Sequence, residues 1–181
     1  SQLLKSLPNS RLILKVNPAD HSETQQYFQH LFSQEGGDAS QLIFLPFTSD
    51  KLKNLEHYTL VDIALDPFPY GGQTTTFETL SMGIPVVSLE GQTPFSRVTS
   101  SLLSLIGCPD LIAKSLEEYI ALTLTLARNT SKLIELRQTL GQKVLNSPLC
   151  QNKHYVKEIE KAYEHIWRNW LQTVLKLKTN K

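Results

Sequence analysis

The chain has 181 residues, 40% of them apolar, which suits one domain with a substantial core. Its 18 basic and 17 acidic residues nearly cancel, so neither nucleic acid nor an anionic membrane surface is expected as a partner. Cys108 and Cys150 are too few for a disulfide framework and stand at no metal-ligand spacing. With no apolar run near the roughly 18 residues of a membrane span and no signal-peptide pattern, a reducing, cytoplasmic setting is the expectation.

In chain order, Ser1-Gln-Leu-Leu-Lys-Ser-Leu-Pro-Asn reads as the end of a helix followed by a turn. Without an initiator Met, the chain is expected to be a piece of a longer protein. Four short apolar runs have strand character, at residues 11–16, 41–45, 61–65 and 85–89. Between them lie stretches of helical period at 22–32, with Ser22 as N-cap, at 49–58 and at 74–82. That alternation predicts βαβ units, an α/β fold with a parallel sheet and helices on both faces. Pro94 at a first helical position opens a helix predicted to run to about residue 105, and Cys108-Pro-Asp-Leu-Ile-Ala predicts a short turn. Ser115-Leu-Glu-Glu118 is a capping box for a further helix, and residues 130–145 form another. Residues 154 to about 171 form a final amphipathic helix with Ile159, Tyr163, Ile166 and Trp170 on one stripe, predicted to pack on this domain or on an absent one. The chain thus divides into an α/β core over 1–92 and a mostly helical continuation over 93–181. The basic tail Lys176-Leu-Lys-Thr-Asn-Lys181 reads as a frayed end.

The segment Asp66-Pro-Phe-Pro-Tyr-Gly-Gly-Gln-Thr-Thr-Thr-Phe-Glu78 concentrates the chemistry. A strand ends at Asp66, two prolines and two glycines turn the chain, and three threonines open a helix. Gly71 and Gly72 allow close backbone approach, and the first helix amides have no intrahelical partner. The helix dipole adds partial positive charge there, so the arrangement favours an anion. Thr74 and Thr75 add hydroxyl donors, and Glu78, one turn on, is placed to accept from ribose hydroxyls. An ordinary strand–loop–helix connection with a Thr N-cap is the competing reading.

In such sheets ligands bind beyond the carboxyl ends of the strands, so the helix after residue 49 faces the same rim. Lys51 could neutralise part of a diphosphate as a point charge, or simply be solvated. Asn54 and His57 share its helix face at spacings of three and six, and that face could meet a nucleobase. No second His or Cys stands at ligand spacing to make His57 a metal ligand, and His21, His30, His154 and His165 are scattered. Arg97 reads as a structural ion pair before a phosphate contact, and Asp66 as fixing its turn before catalysis. A nucleophile elbow, a P-loop and a dinucleotide fingerprint are all absent.

The run from Asp66 through Met82-Gly-Ile-Pro-Val-Val87 resembles the donor-binding segment of the O-linked N-acetylglucosamine transferase family, which includes the plant Spindly proteins and bacterial homologues. The likeness continues through Ser96-Arg-Val98, Gly107-Cys-Pro-Asp-Leu-Ile-Ala-Lys114, Glu118-Tyr119 and Ser147-Pro148-Leu149, to the helix around Tyr163 and Trp167. The resemblance implies two Rossmann-like halves of the GT-B type, with this chain most of the C-terminal half that holds the nucleotide sugar. By position, Gln73, Thr74 and Thr75 match the diphosphate-binding helix start, beside Gly72 of the backbone reading, and Glu78 matches an acidic residue that holds the ribose. Lys51 matches a lysine on the nucleotide and a candidate leaving-group stabiliser, while Thr48 and Ser49 match the base-reading turn. The animal enzymes carry His and Arg where this chain has Asn54 and His57, and His at Gln73. The Phe-Pro-Tyr and triple-Thr pattern is closer to the Spindly and bacterial branches.

The implied activity is transfer of a sugar from a nucleoside diphosphate sugar to a protein Ser or Thr hydroxyl, with no metal and no other cofactor. UDP-N-acetylglucosamine is the first choice of donor, with UDP-glucose and GDP-fucose open. The resemblance also implies that an absent N-terminal half supplies much of the acceptor site and candidate catalytic groups, that no general base is named within this chain, and that this piece alone is inactive. A first strand and a further lysine are expected just upstream of residue 1; without them an exposed sheet edge would favour self-association. A non-catalytic nucleotide-sugar-binding module and a nucleotide-sugar epimerase are the alternatives.

Overall fold

A computed structural model describes residues 1–15 and 22–179. Val16, His21 and the last two residues of the basic tail fall outside them, as do the side chains of His154, Lys176 and Lys178. After α1 (Gln2–Ser6), β1 (Leu12–Lys15) leads through α2 (Ser22–Gln34) to β2 (Leu42–Leu45). The two strands pair in parallel, Leu12 opposite Leu42 and Lys15 opposite Leu45. Next come α3 (Lys51–Glu56), β3 (Ala64–Leu65), α4 (Thr74–Ser81) and β4 (Val86–Leu89). The remaining elements are α5 (Val98–Leu105), β5 (Ile112–Ala113), α6 (Leu116–Ala127), α7 (Thr130–Asn146) and α8 (Asn152–Thr179).

The predicted parallel α/β architecture is present, with the strands in two hydrogen-bonded groups, β1-β2 and β3-β4-β5. β4 is the middle strand of the second group. Val86, Val87 and Ser88 on it are almost fully buried, which is why the segment reads as a continuous apolar run and not as an alternation. Around it Leu80 of α4, Leu103 of α5, Leu126 of α6 and Leu140 of α7 form the core. Gly83 ends α4 with φ +80°, and a Cβ there would lie 2.5 Å from the Arg137 carbonyl oxygen, so the close seating of α4 on α7 requires glycine.

Three expectations are corrected by the structure. The strand predicted over 61–65 contracts to Ala64–Leu65, because a 3₁₀ turn at His57–Leu60 follows α3 and Val61 closes it by donating to the Tyr58 carbonyl. The helix predicted from Pro94 divides into a 3₁₀ turn, Pro94–Ser96, and α5; the Ser96 hydroxyl holds that turn by bonding both the Thr93 amide and its carbonyl. The turn predicted at Cys108-Pro-Asp-Leu-Ile-Ala contains β5, two residues that pair with β4 and carry the sheet past residue 92. Two residues are too short to display any periodicity. Of the two packings expected for the stripe of α8, the one on this domain is not seen among the described residues, where Ile159, Tyr163, Ile166 and Trp170 are all exposed.

The capping box at Ser115 takes a shifted form. The Ser115 hydroxyl accepts from the Glu118 amide at 3.1 Å, while the Glu118 carboxylate accepts from the Lys114 amide, one residue earlier than the motif predicts.

Leu140 is wholly buried on α7, in the middle of the core. Leu140→Ala is expected to lower the unfolding free energy by about 2–5 kcal/mol, read by denaturant titration, because the cavity has packed neighbours on all sides.

Candidate functional site

The site begins at the carboxyl end of β3. The Asp66 amide makes the last ladder bond, to the Val87 carbonyl at 2.9 Å, and its side chain then turns inward to 5% exposure. One carboxylate oxygen accepts from the Gly72 amide and the other from the Ser88 hydroxyl, each at 2.7 Å. The Asp66 carbonyl accepts from the Tyr119 hydroxyl at 3.2 Å. Asp66 therefore clasps both ends of the loop 67–72 and fixes the turn, as the sequence reading favours. Burial, with the Asp66 carboxylate adding to it, pushes the Tyr119 phenol well above its ordinary 10.0.

Gly72 is required for room. A Cβ on it would lie 2.3 Å from the Thr76 hydroxyl and 3.3 Å from the Asp66 carboxylate, with backbone φ outside the left-handed region. The Gly72 carbonyl accepts from the Thr99 hydroxyl at 3.1 Å, and Thr99 lies 3.3 Å from the Thr76 hydroxyl. The three threonines thus divide: Thr76 is buried in this lacing, whereas Thr74 and Thr75 are exposed on the rim.

Gln73 is the N-cap of α4, and its side chain makes no capping bond. Phe77 is the first residue to bond back, its amide donating to the Gln73 carbonyl at 3.0 Å. Among the described residues no partner is recorded for the amides of Thr74, Thr75 and Thr76, so three donors and the positive end of the helix dipole remain for a ligand. Glu78 is half-buried one turn further in. Gly72, Gln73, Thr74, Thr75 and Glu78 are thereby brought together on one loop and helix.

The second group follows β2. Asp50 caps α3, its carboxylate accepting from the Leu52 and Lys53 amides at 2.9 and 3.4 Å. The Thr48 hydroxyl oxygen accepts from the Asp50 amide at 3.2 Å, which orders the turn through exposed Ser49. Lys51 is the first helical residue, exposed and with no ion pair recorded among the described residues. Asn54 accepts from the ammonium of Lys15, the last residue of β1, so a side chain from the neighbouring strand also reaches this rim. The regular helix stops at Glu56. His57 lies in the 3₁₀ turn, with its Nδ1 buried and without a hydrogen-bond partner among the described residues. Lys51 and Asn54 thus lie on the regular helix, and His57 opens the 3₁₀ turn that continues it.

Arg97 is engaged in an ion pair with Glu90 at 3.1 Å, and Lys114 bonds the same carboxylate, in line with a structural role. Two recesses of about 610 and 400 Å³ are lined by α5–α7 and the loop at Gly107–Leu111, away from the rim. Sequence reasoning missed Lys15, Thr76, Ser88, Thr99 and Tyr119. Their hydrogen-bond partners lie 22 to 53 residues away, and no short spacing signals them.

Comparison with known proteins bears directly on this geometry. Residues 1–159 match the family described as Glycosyl transferase family 41. The chain is 35% identical over 170 residues to a probable UDP-N-acetylglucosamine–peptide N-acetylglucosaminyltransferase SPINDLY of Hordeum vulgare, and 36% identical to its namesake in Oryza sativa subsp. japonica. Each match covers 94% of this chain and 18% of the relative, so the chain spans about a fifth of their length. The solved structure of a mutant O-GlcNAc transferase from Thermobaculum terrenum superposes with a TM-score of 0.88 at 34% identity, covering 96% of this chain and 33% of that one. The fold is accordingly that of the C-terminal half of a GT-B glycosyltransferase, with its helical tail.

The raised phenol of Tyr119 has a consequence for stability. A group whose pKa rises on folding contributes fully below its unfolded value and loses that contribution as pH climbs above it. Stability is therefore expected to fall above pH 10, more steeply in the wild type than in Tyr119→Phe, as measured by denaturant titration across that range.

Proposed function

Because this chain belongs to glycosyl transferase family 41, we propose that it is the donor-binding half of an enzyme that moves a sugar from a nucleoside diphosphate sugar to a Ser or Thr hydroxyl of a protein. The observation that carries the proposal is the uncapped start of α4, whose free amides adjoin a loop clasped by Asp66. UDP-N-acetylglucosamine is the first choice of donor, in keeping with the names of the relatives.

In this reading the diphosphate is received by the amides of residues 74–76, the hydroxyls of Thr74 and Thr75, and Gln73 and the backbone at Gly72. Glu78 accepts from the ribose hydroxyls. Thr48, Ser49, Lys51, Asn54 and His57 serve the nucleoside side. Transfer forms a bond from the acceptor oxygen to the anomeric carbon and breaks the bond to the diphosphate, which leaves with the electron pair. Helix amides, threonine hydroxyls and Lys51 stabilise the charge that develops on it, the task a divalent cation performs in other transferases. The acceptor proton passes to a base contributed from outside the residues assigned here. The acceptor site belongs to the remainder of the longer protein, so this segment alone binds donor without transferring it, and a cytoplasmic location is part of the same proposal.

Calorimetric titration of the intact protein with UDP and with GDP tests the reading. Selective UDP binding that weakens by about 1–2 kcal/mol in Thr75→Val, the loss of one hydrogen bond to a charged group, supports it; unchanged affinity removes Thr75 from the site. Glu78→Gln should weaken UDP more than pyrophosphate, and equal losses contradict the ribose role. Preference for GDP would replace UDP-N-acetylglucosamine with GDP-fucose.

Transfer should persist undiminished in EDTA. Activity lost on chelation and restored by a divalent cation would overturn the metal-independent route.

A further inference from the structure

The rim also carries two large aromatic side chains that the core does not use. Tyr70 and Phe95 are 62% and 56% exposed, yet their rings stack on one another, with centroids 5.8 Å apart and planes 19° from parallel. They come from the loops after β3 and β4, neighbouring strands of one sheet. The Gly71 amide donates to the Phe95 carbonyl at 3.3 Å and ties the loops at that point. Phe68, in the same loop, packs edge-on against Tyr119 at 5.7 Å and 79°. At the outer end the Tyr70 hydroxyl lies 3.5 Å from the side-chain nitrogen of Gln73, the N-cap of α4. The pair is held beside the helix start with ring surface open to solvent.

We propose that the Tyr70–Phe95 pair is the floor of the donor's sugar subsite, taking the C–H face of a hexopyranose ring. The inference rests on the donor-site reading above and extends it past the diphosphate. A diphosphate at the start of α4 has a substituent on each side. The residues assigned to the base follow β2, in the other hydrogen-bonded group of strands, whereas Tyr70 and Phe95 follow β3 and β4. That leaves the aromatic side of the helix start for the sugar. A pyranose combines an apolar C–H patch with a polar edge, and an aromatic ring bordered by hydrogen-bonding groups matches both. Here the border is the Tyr70 hydroxyl with the Gln73 amide. Two rings already stacked across tied loops also lose little freedom when a ligand arrives.

The test compares binding of UDP with UDP-N-acetylglucosamine, and of GDP with GDP-fucose, by the intact protein and by Tyr70→Ala, Phe95→Ala, Tyr70→Leu and Tyr70→Phe. Within the preferred pair, Tyr70→Ala and Phe95→Ala are expected to lose about fivefold to tenfold in affinity for the nucleotide sugar. Both should hold affinity for the free diphosphate within about twofold, which also reports that they fold. Tyr70→Leu, with apolar bulk and no ring, should behave like Tyr70→Ala, and Tyr70→Phe should keep most of the sugar's contribution. Equal losses for diphosphate and nucleotide sugar, or none for either, overturn the platform and leave the donor-site reading standing. A change confined to the acceptor KM assigns the pair to the acceptor and likewise overturns it. Failure of the wild type to bind any of the four nucleotides brings down the donor-site reading and the platform together.

Discussion

The buried Asp66 carboxylate is the interaction on which the rim depends. Placing a carboxyl group at 5% exposure is unfavourable unless its oxygens find donors, and here both do, one in the loop before α4 and one on β4. One oxygen fixes where the loop ends, at Gly72. The other fixes β3 against β4 through Ser88. The Asp66 backbone carbonyl extends the same clasp to α6 through Tyr119. Every residue between 66 and 72 is thus confined at both ends by one side chain. The position of the α4 start follows from that confinement and owes little to any bond made by Gln73.

This arrangement separates the work of holding the loop from the work left to its exposed groups. Thr76 and Thr99 satisfy each other and the Gly72 carbonyl in the interior, which leaves Thr74, Thr75 and the first helix amides uncommitted. A helix end that capped itself would have its donors already occupied. On the α3 side the logic is reversed. Asp50 consumes two of that helix's amides, so what α3 contributes to the rim is side chains, Lys51 and Asn54 foremost. One helix offers its backbone and the other its side chains.

Much of this was legible in the residues because it is local. The strand run ending at Asp66, the glycines and the threonines declare a strand–loop–helix connection within 13 residues, and the free helix start follows from backbone geometry. The Ser115 cap and the bounds of α4 and α7 are legible for the same reason. What the sequence hides is whatever depends on distant partners. β5 is a strand only because β4 lies beside it, and Ser88 joins the clasp across 22 residues. The likeness of Thr74, Thr75 and Thr76 as letters conceals that the third is buried. The face drawn through Lys51, Asn54 and His57 assumed a regular helix throughout, whereas the backbone tightens into a 3₁₀ turn after Glu56, a change that depends on no short spacing in the residues.

α8 is a helix of 28 residues, about 42 Å long at the usual rise per residue, with Tyr163, Ile166, Trp167 and Trp170 more than half exposed along it. Water in contact with such a stripe is a persistent cost, and at ordinary preparative concentrations the stripe would drive the chain toward whatever apolar surface is at hand. Trp167 and Trp170 are stacked at 5.0 Å on that same helix, so indole emission would report the covering of this surface directly, without an added label. The helix thus carries its own optical probe of when and by what it becomes covered.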